Sequence, residues 1–176
     1  MDALVFDTGP LSHFARAGRL DVLEAVVGER RAVIPQAVVQ ELQVGASLHD
    51  RIETILDAAW LEHRELTQDS ELLKFAEFAG RLVHNERNVG DAAVLALAAT
   101  MPATAVIDDG TAYRIGQRAG VTCTRTLALL CEAMHSGLVT LDFVSQIADE
   151  LIATDYRLPF GPGGFKNWAI ENGYAG

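Results

Sequence analysis

The sequence predicts an α/β fold: a three-layer α/β/α arrangement with a short, mostly parallel central sheet, followed by a C-terminal helical tail. Three observations carry this expectation. Short apolar runs alternate with segments of helical periodicity along most of the chain, the pattern of a parallel sheet covered on both faces. Two of those runs end in acids, Asp7 and Asp108-Asp109. The 176 residues, 49% of them hydrophobic, suffice for one domain with a sizeable core and argue against disorder.

Taken in order, Ala3 to Phe6 reads as a strand ending at Asp7, and Pro10 suits the first turn of a helix carrying Leu11, Phe14 and Ala15. Leu20 to Val27 reads as a second helix and Ala32 to Ile34 as a second strand. Pro35 opens a helix through Gln43 that stops near Gly45. His49 to Ala59 reads as helical, Trp60 to Leu66 as a short strand, and Ser70 to Phe78 as a helix whose apolar set is Leu72, Leu73, Phe75 and Ala76. The polar stretch Gly80 to Gly90 reads as a loop, after which Asp91 opens a helix through Ala99. Thr104 to Ile107 is a strand, Thr111 to Ala119 a helix, Val121 to Cys123 a strand and Thr126 to His135 a helix.

The remainder differs in character. Leu141 to Ile152 is helical, Pro159 to Gly164 is a turn-rich break, and Phe165 to Glu171 is a short helix. Its aromatics, Tyr156, Phe160, Phe165 and Trp168, need somewhere to pack. Docking onto the chain's own domain is favoured over a dimer contact or a lid. The organisation expected is residues 1–139 as the core domain and residues 140–176 as a helical tail packed on that domain or on a partner.

Composition excludes several classes. No apolar run approaches the roughly 18 residues of a membrane span, and the N-terminus lacks the features of a secretion signal, so a cytoplasmic location is expected. Cys123 and Cys131 form no metal-ligand spacing and read as small buried hydrophobes. The formal net charge of -10 argues against broad attraction to nucleic acid and agrees with a pocket that collects cations, or with a basic partner. A mean hydropathy of +0.16 implies either a large core or a face covered by a partner.

Ligands of open parallel sheets bind outside the carboxyl ends of the strands, so Asp7 and Asp108 should reach one rim. Glu41 falls among Ala37, Val38, Val44 and Gly45 on its helix, along an apolar stripe where a carboxylate needs a partner, either an arginine or a metal. Asp91 suits a helix cap and, beside other acids, can also ligate. The adjacent pair Asp108-Asp109 repels itself unless a cation offsets it, and Asp109 can cap the next helix.

The strings "LVFDTGPLSHFARAG", "IPQAVVQEL", "NVGDAAVLALAA" and "AVIDDGTAYRIGQRAGV" resemble the successive acidic motifs of PIN domains, and the resemblance continues through "TCTRTLALLCEAMHSGLV", covering Met1 to Val139. The variant resembled is the VapC-toxin-like, predicted nucleic-acid-binding group. The resemblance implies a ribonuclease that binds Mg²⁺ or Mn²⁺ through Asp7, Glu41, Asp91 and Asp108, with Asp109 as a further ligand candidate and Thr8 placed to orient metal-bound water. It also implies an RNA substrate and a small basic antitoxin partner. The all-oxygen ligand set suits hard ions, and no Cys/His cluster points to zinc.

Two departures stand out. Gly90-Asp91 occupies a position where close relatives often carry Glu, and the arginine expected after the acid pair is displaced by one position, to Arg114. Arg81, Arg87, Arg114, Arg118 and Arg125 are candidates to hold phosphates, although for each one a solvated surface role is favoured. The five histidines share no motif and each reads as a surface or helix-end residue, substrate contact being an alternative for His84 alone, in the loop before Asp91. Trp60 and Trp168 read as packing residues, and the apolar content and aromatic tail suggest a homodimer.

Other strand-end acid chemistries fit poorly. A haloacid-dehalogenase-type phosphotransferase needs a second acid where Gly9 stands. A response-regulator receiver needs a strand-end lysine, and the only lysines are Lys74 and Lys166. The serious alternative is a non-catalytic PIN scaffold that binds RNA or a protein partner.

Overall fold

The computed structural model describes residues 3–85 and 87–175. Met1, Asp2, Gly176 and Glu86, the last inside the expected loop, lie outside the described residues. Five strands form one sheet: β1 (Ala3–Phe6), β2 (Ala32–Pro35), β3 (Leu61–Arg64), β4 (Ala103–Val106) and β5 (Cys123–Thr124). Their spatial order is β3-β2-β1-β4-β5, and every pairing is parallel. β1, β2 and the end of β4 are buried on both faces, which is why they read as continuous apolar runs and not as alternating ones.

The strand order reverses at β1. From β1 the chain steps outward through β2 and β3, then returns to lay β4 on the other side of β1. Such a switch point opens a crevice at the carboxyl ends of the two central strands. Leu4 is in register with Thr104 and Phe6 with Val106, so the residues that follow both strands emerge together.

The helices are α1 (Thr8–Ala17), α2 (Leu20–Val27), α3 (Gln36–Ala46), α4 (Glu53–Leu56), α5 (Asp69–Leu82), α6 (Val89–Thr100), α7 (Gly110–Arg118), α8 (Thr126–His135), α9 (Leu141–Ile152) and α10 (Phe165–Glu171). A 3-10 turn at Asp50–Ile52 precedes α4. The expected His49–Ala59 helix is therefore broken and short. α6 is buried almost all round, from Gly90 to Ala98, and its small side chains allow it to lie between the sheet and α5.

Three local readings are corrected. Helix α5 runs past Gly80 to Leu82, and α6 begins at Val89, so the polar connection is shorter than expected. The inward face of α5 is Phe75, Phe78, Ala79 and Leu82 at helical spacing, while Leu72 and Leu73 point outward. Polarity had marked Gly80 and Arg81 as loop, but tertiary packing of Leu82 outweighs that local preference.

α9 packs on α1 and α8, and α10 on α9. Val144, Ile147, Ala148, Leu151 and Phe165 join the same buried cluster as the sheet. Arg19, at the start of α2, clamps Glu150 through two hydrogen bonds of 2.5 and 2.7 Å, fixing the α1–α2 turn to α9. Cys123 and Cys131 are free thiols, and burial pushes both up to about 11. No helix among the described residues is long and apolar enough to cross a membrane.

Candidate functional site

Asp7 ends β1 and caps α1 in extended conformation, its Oδ2 accepting from the Gly9 N–H at 3.4 Å. The carboxyl is driven up to about 7, chiefly by burial and also by the neighbouring charges of Glu41 and Asp108. Asp91 lies in the first turn of α6 and is 7% exposed. It does not cap: Asn88, in the left-handed region, occupies that place. Its Oδ1 is buried and has no partner among the described residues. Burial first, and then the charges of Asp7, Asp109 and Glu41, push it up to about 8.

Glu41 departs from expectation. Its stripe is broken, because Val44 is 68% exposed, and its partners are neither arginine nor backbone of its own helix. Oε2 accepts from the Thr8 hydroxyl at 2.5 Å and Oε1 from the Gly90 N–H at 2.9 Å. Glu41 therefore ties α3 to the starts of α1 and α6. The Thr8 hydroxyl, one residue after Asp7, thus restrains this carboxylate.

Asp108 follows β4 and accepts hydrogen bonds on both carboxylate oxygens. Oδ1 accepts from the Thr126 N–H at 3.0 Å, and Oδ2 accepts from the Thr126 hydroxyl at 2.7 Å and from the Tyr156 hydroxyl. Asp109 caps α7, its Oδ1 accepting from the N–H groups of Thr111 and Ala112, both at 2.8 Å. The two adjacent acids thus turn to different tasks, and Asp109 is the exposed one.

Asp7, Glu41, Asp91, Asp108 and Asp109 are linked by mutual repulsion across this rim. None of the eight ion pairs among the described residues includes any of them. They are also not closed into a cage: among the described residues, no group of three His, Cys, Asp or Glu side chains is gathered tightly enough to hold an ion as it stands. An orphaned buried oxygen, five carboxylates as all-oxygen donors and no ion pair to any of them among the described residues together fit a hard divalent cation.

Sequence reasoning missed Tyr156 and Thr126 as partners of Asp108. Thr126 lies in the last stretch that carries the family resemblance, but nothing there pointed to Asp108, and Tyr156 reaches the acid from 48 residues away with no motif around it. His84 is exposed and paired through its backbone with Arg87. His13 packs against Tyr156 in a tilted arrangement, ring centroids 4.7 Å apart, and is bonded to Thr154 at 2.8 Å.

No curated protein matches the chain. Thirteen chains of solved structures do. One is from the crystal structure of VapBC2 from Rickettsia felis bound to a DNA fragment from their promoter, which is 14% identical with a TM-score of 0.52 and covers 70% of this chain and 98% of that one. At that identity the likeness speaks to the fold. The model of the DUF3368 family, described as a PIN domain, matches residues 3–160, nine-tenths of the length and with it the strand-end acids just located. On that match, this chain belongs to the PIN-domain family.

Proposed function

We infer that the protein is a ribonuclease that hydrolyses RNA phosphodiester bonds with Mg²⁺ or Mn²⁺, and that it is the toxin of a toxin–antitoxin pair restrained by a small basic protein. The observation that carries this reading is the set of acids at the switch-point crevice with no basic partner, one of them holding an orphaned buried oxygen. Evolution of a merely structural acid cluster would supply an arginine, since burying unpaired like charges is costly. Membership in the PIN family and the net charge of -10 agree with a cation site and a basic partner.

Asp7, Glu41, Asp91 and Asp108 are the residues assigned to hold the ion, with Asp109 beside them. When bound, the ion supplies charge neutralisation and Lewis acidity at the scissile phosphate. Thr8 and Gly90 orient Glu41, and Thr126 and Tyr156 orient Asp108, so two carboxylates are pre-positioned by the fold. Asp91 presents its unpartnered oxygen. Residues 1–139 are assigned as the catalytic unit and residues 140–176 as a tail that adds Tyr156 to it.

The open spacing of the carboxylates is also what a non-catalytic scaffold would have. The deciding experiment is Mn²⁺ titration calorimetry followed by cleavage of a defined single-stranded RNA. Wild type should bind and cut. Asp7→Ala should fold, lose Mn²⁺ binding and lose cleavage. Cleavage by Asp7→Ala at the wild-type rate would refute the assignment, and a wild type that binds RNA without cutting would establish the scaffold.

A further inference from the structure

A cavity of about 560 Å³ opens beside Asp108, within the size range of small-ligand pockets. Its walls hold Asp108, Tyr113, Arg125, Tyr156, Trp168 and Tyr174, drawn from the residues just after β4 and β5, from α7 and from the tail. Two pairs give it character. The Arg125 guanidinium lies over the Tyr113 ring, 4.7 Å from its centroid. Trp168 and Tyr174 are stacked at 5.3 Å and 17°. Leu127 and Leu158 add apolar wall.

Charge narrows the choice of occupant. The chain has 14 basic residues against 24 acidic ones, yet Arg125 and Arg157 both sit on this cavity. Both are exposed, and neither belongs to an ion pair among the described residues. Uncommitted guanidiniums beside aromatic faces suit a ligand with an anion and a flat ring. A basic protein segment would be repelled from the same place.

We propose that this cavity is a subsite for one unstacked nucleobase of a single-stranded or looped RNA. The aromatic walls take the base, Arg125 and Arg157 hold its flanking phosphates, and the adjoining phosphodiester is delivered to Asp108. The inference rests on the ribonuclease reading and deepens it by naming the recognition mode. Trp168, packed against the edge of the core as expected, thereby gains a stacking role as well. Its partners in the tail, Phe160 and Phe165, pack around it and hold it in place.

The test uses the full chain carrying Trp60→Phe, which leaves Trp168 as the sole tryptophan. Short oligo(A) and oligo(U) single-stranded RNAs are titrated in EDTA, so that binding is read without cleavage. Trp168 fluorescence should be quenched on binding. In the otherwise wild-type chain, Trp168→Ala and, separately, Arg125→Glu should each weaken RNA binding about tenfold or more, a typical loss for a stacked base. With Mn²⁺ present, KM should rise by a similar factor. Arg125→Glu is exposed and guards against a Trp168→Ala that fails to fold.

Unquenched Trp168 together with unchanged RNA affinity in Arg125→Glu overturns the subsite, as does RNA-insensitive fluorescence that responds to a protein segment instead. The two readings separate cleanly. A protein that quenches and binds through the cavity but never cuts keeps the subsite and loses the nuclease. A protein that cuts with unaltered KM in both variants loses the subsite alone.

Discussion

Gly90 and Glu41 meet across the crevice at the limit of close approach: the Gly90 N–H donates to Glu41 Oε1 at 2.9 Å, and a Cβ on Gly90 would stand 2.8 Å from both carboxylate oxygens. Gly90 is helical and buried, so its missing side chain serves this contact and not an unusual backbone angle. Gly90→Ala should push the Glu41 carboxylate, the far end of a flexible side chain, out of its bonds to Thr8 and Gly90. Helix propensity gains up to about 1 kcal/mol from the change, which offsets the crowding. The expected outcome is a melting temperature near wild type with Mn²⁺ affinity and cleavage reduced about tenfold or more, measured by calorimetry and RNA cleavage. Full Mn²⁺ affinity in Gly90→Ala would show that Glu41 does not hold the ion.

Much of this site was legible in the sequence, for a definable reason. Asp7 and Asp108 follow short apolar runs, and parallel strands carry whatever follows them to one edge. Asp109 was readable as a cap because a cap is a local device. The partners of Glu41 were not readable. Its stripe suggested a buried face, but Val44 turns to the surface, and the actual donors, Thr8 and Gly90, come from two other helices. Tyr156 was hidden for the same reason: it lies 48 residues from Asp108, and nothing local to either residue announces the bond. Periodicity over a few turns also misjudged α5, where tertiary packing selects Phe78 and Leu82 over Leu72 and Leu73.

The raised carboxyls make stability depend on pH in a direction opposite to that of a salt-bridged acid. Burial and mutual charge repulsion raise the Asp7 and Asp91 carboxyls to about 7 and about 8 in the folded chain, against an ordinary value of 3.8 when unfolded. Between those limits the folded state binds more protons, so metal-free stability falls as pH rises from about 4 to about 8 and then levels. Mn²⁺ at pH 8 should restore it. At a hundredfold excess over Kd the gain is about 2.7 kcal/mol, or on the order of 5–10 °C for a chain of this size. Asp91→Asn should raise the metal-free melting temperature at pH 8 and blunt the Mn²⁺ response. Melting curves with EDTA and with Mn²⁺ across this range check both, and a metal-free stability that rises from pH 5 to 8 would contradict the account.

Glu71 is a buried acid of the opposite kind, 2% exposed and fully partnered. It accepts from the N–H groups of Thr67 and Gln68 at 2.9 and 3.1 Å and from Arg64 Nη2 at 2.5 Å, closing the start of α5 onto edge strand β3. Glu71→Ala strands a guanidinium and two amides and should cost about 3–5 kcal/mol. Glu71→Gln keeps an acceptor for the amides and should cost less. Urea unfolding of the two variants gives the comparison, and equal costs would mean that the ion pair, not the cap, dominates.

Tyr156 stands on both sides of the functional question, because its hydroxyl donates to Asp108 while its ring walls the adjoining cavity. Burial, and then the Asp108 charge, push the phenol well above its usual range, so it remains a donor at any pH at which the fold survives. Tyr156→Phe removes that donor and little else. Asp108 retains Thr126, whose N–H and hydroxyl hold one oxygen each, so the carboxylate should stay in place but lose restraint on Oδ2. A hydrogen bond to a charged group contributes about 1.5–3 kcal/mol, which sets the expected loss of stability. A purely structural role would stop there. If Tyr156 positions Asp108 for the ion, Mn²⁺ affinity must also weaken and kcat must fall more than KM changes, because the phenyl ring still lines the cavity. Tyr156→Phe with wild-type kcat and Mn²⁺ binding, but lowered melting temperature, would confine Tyr156 to the architecture of the tail.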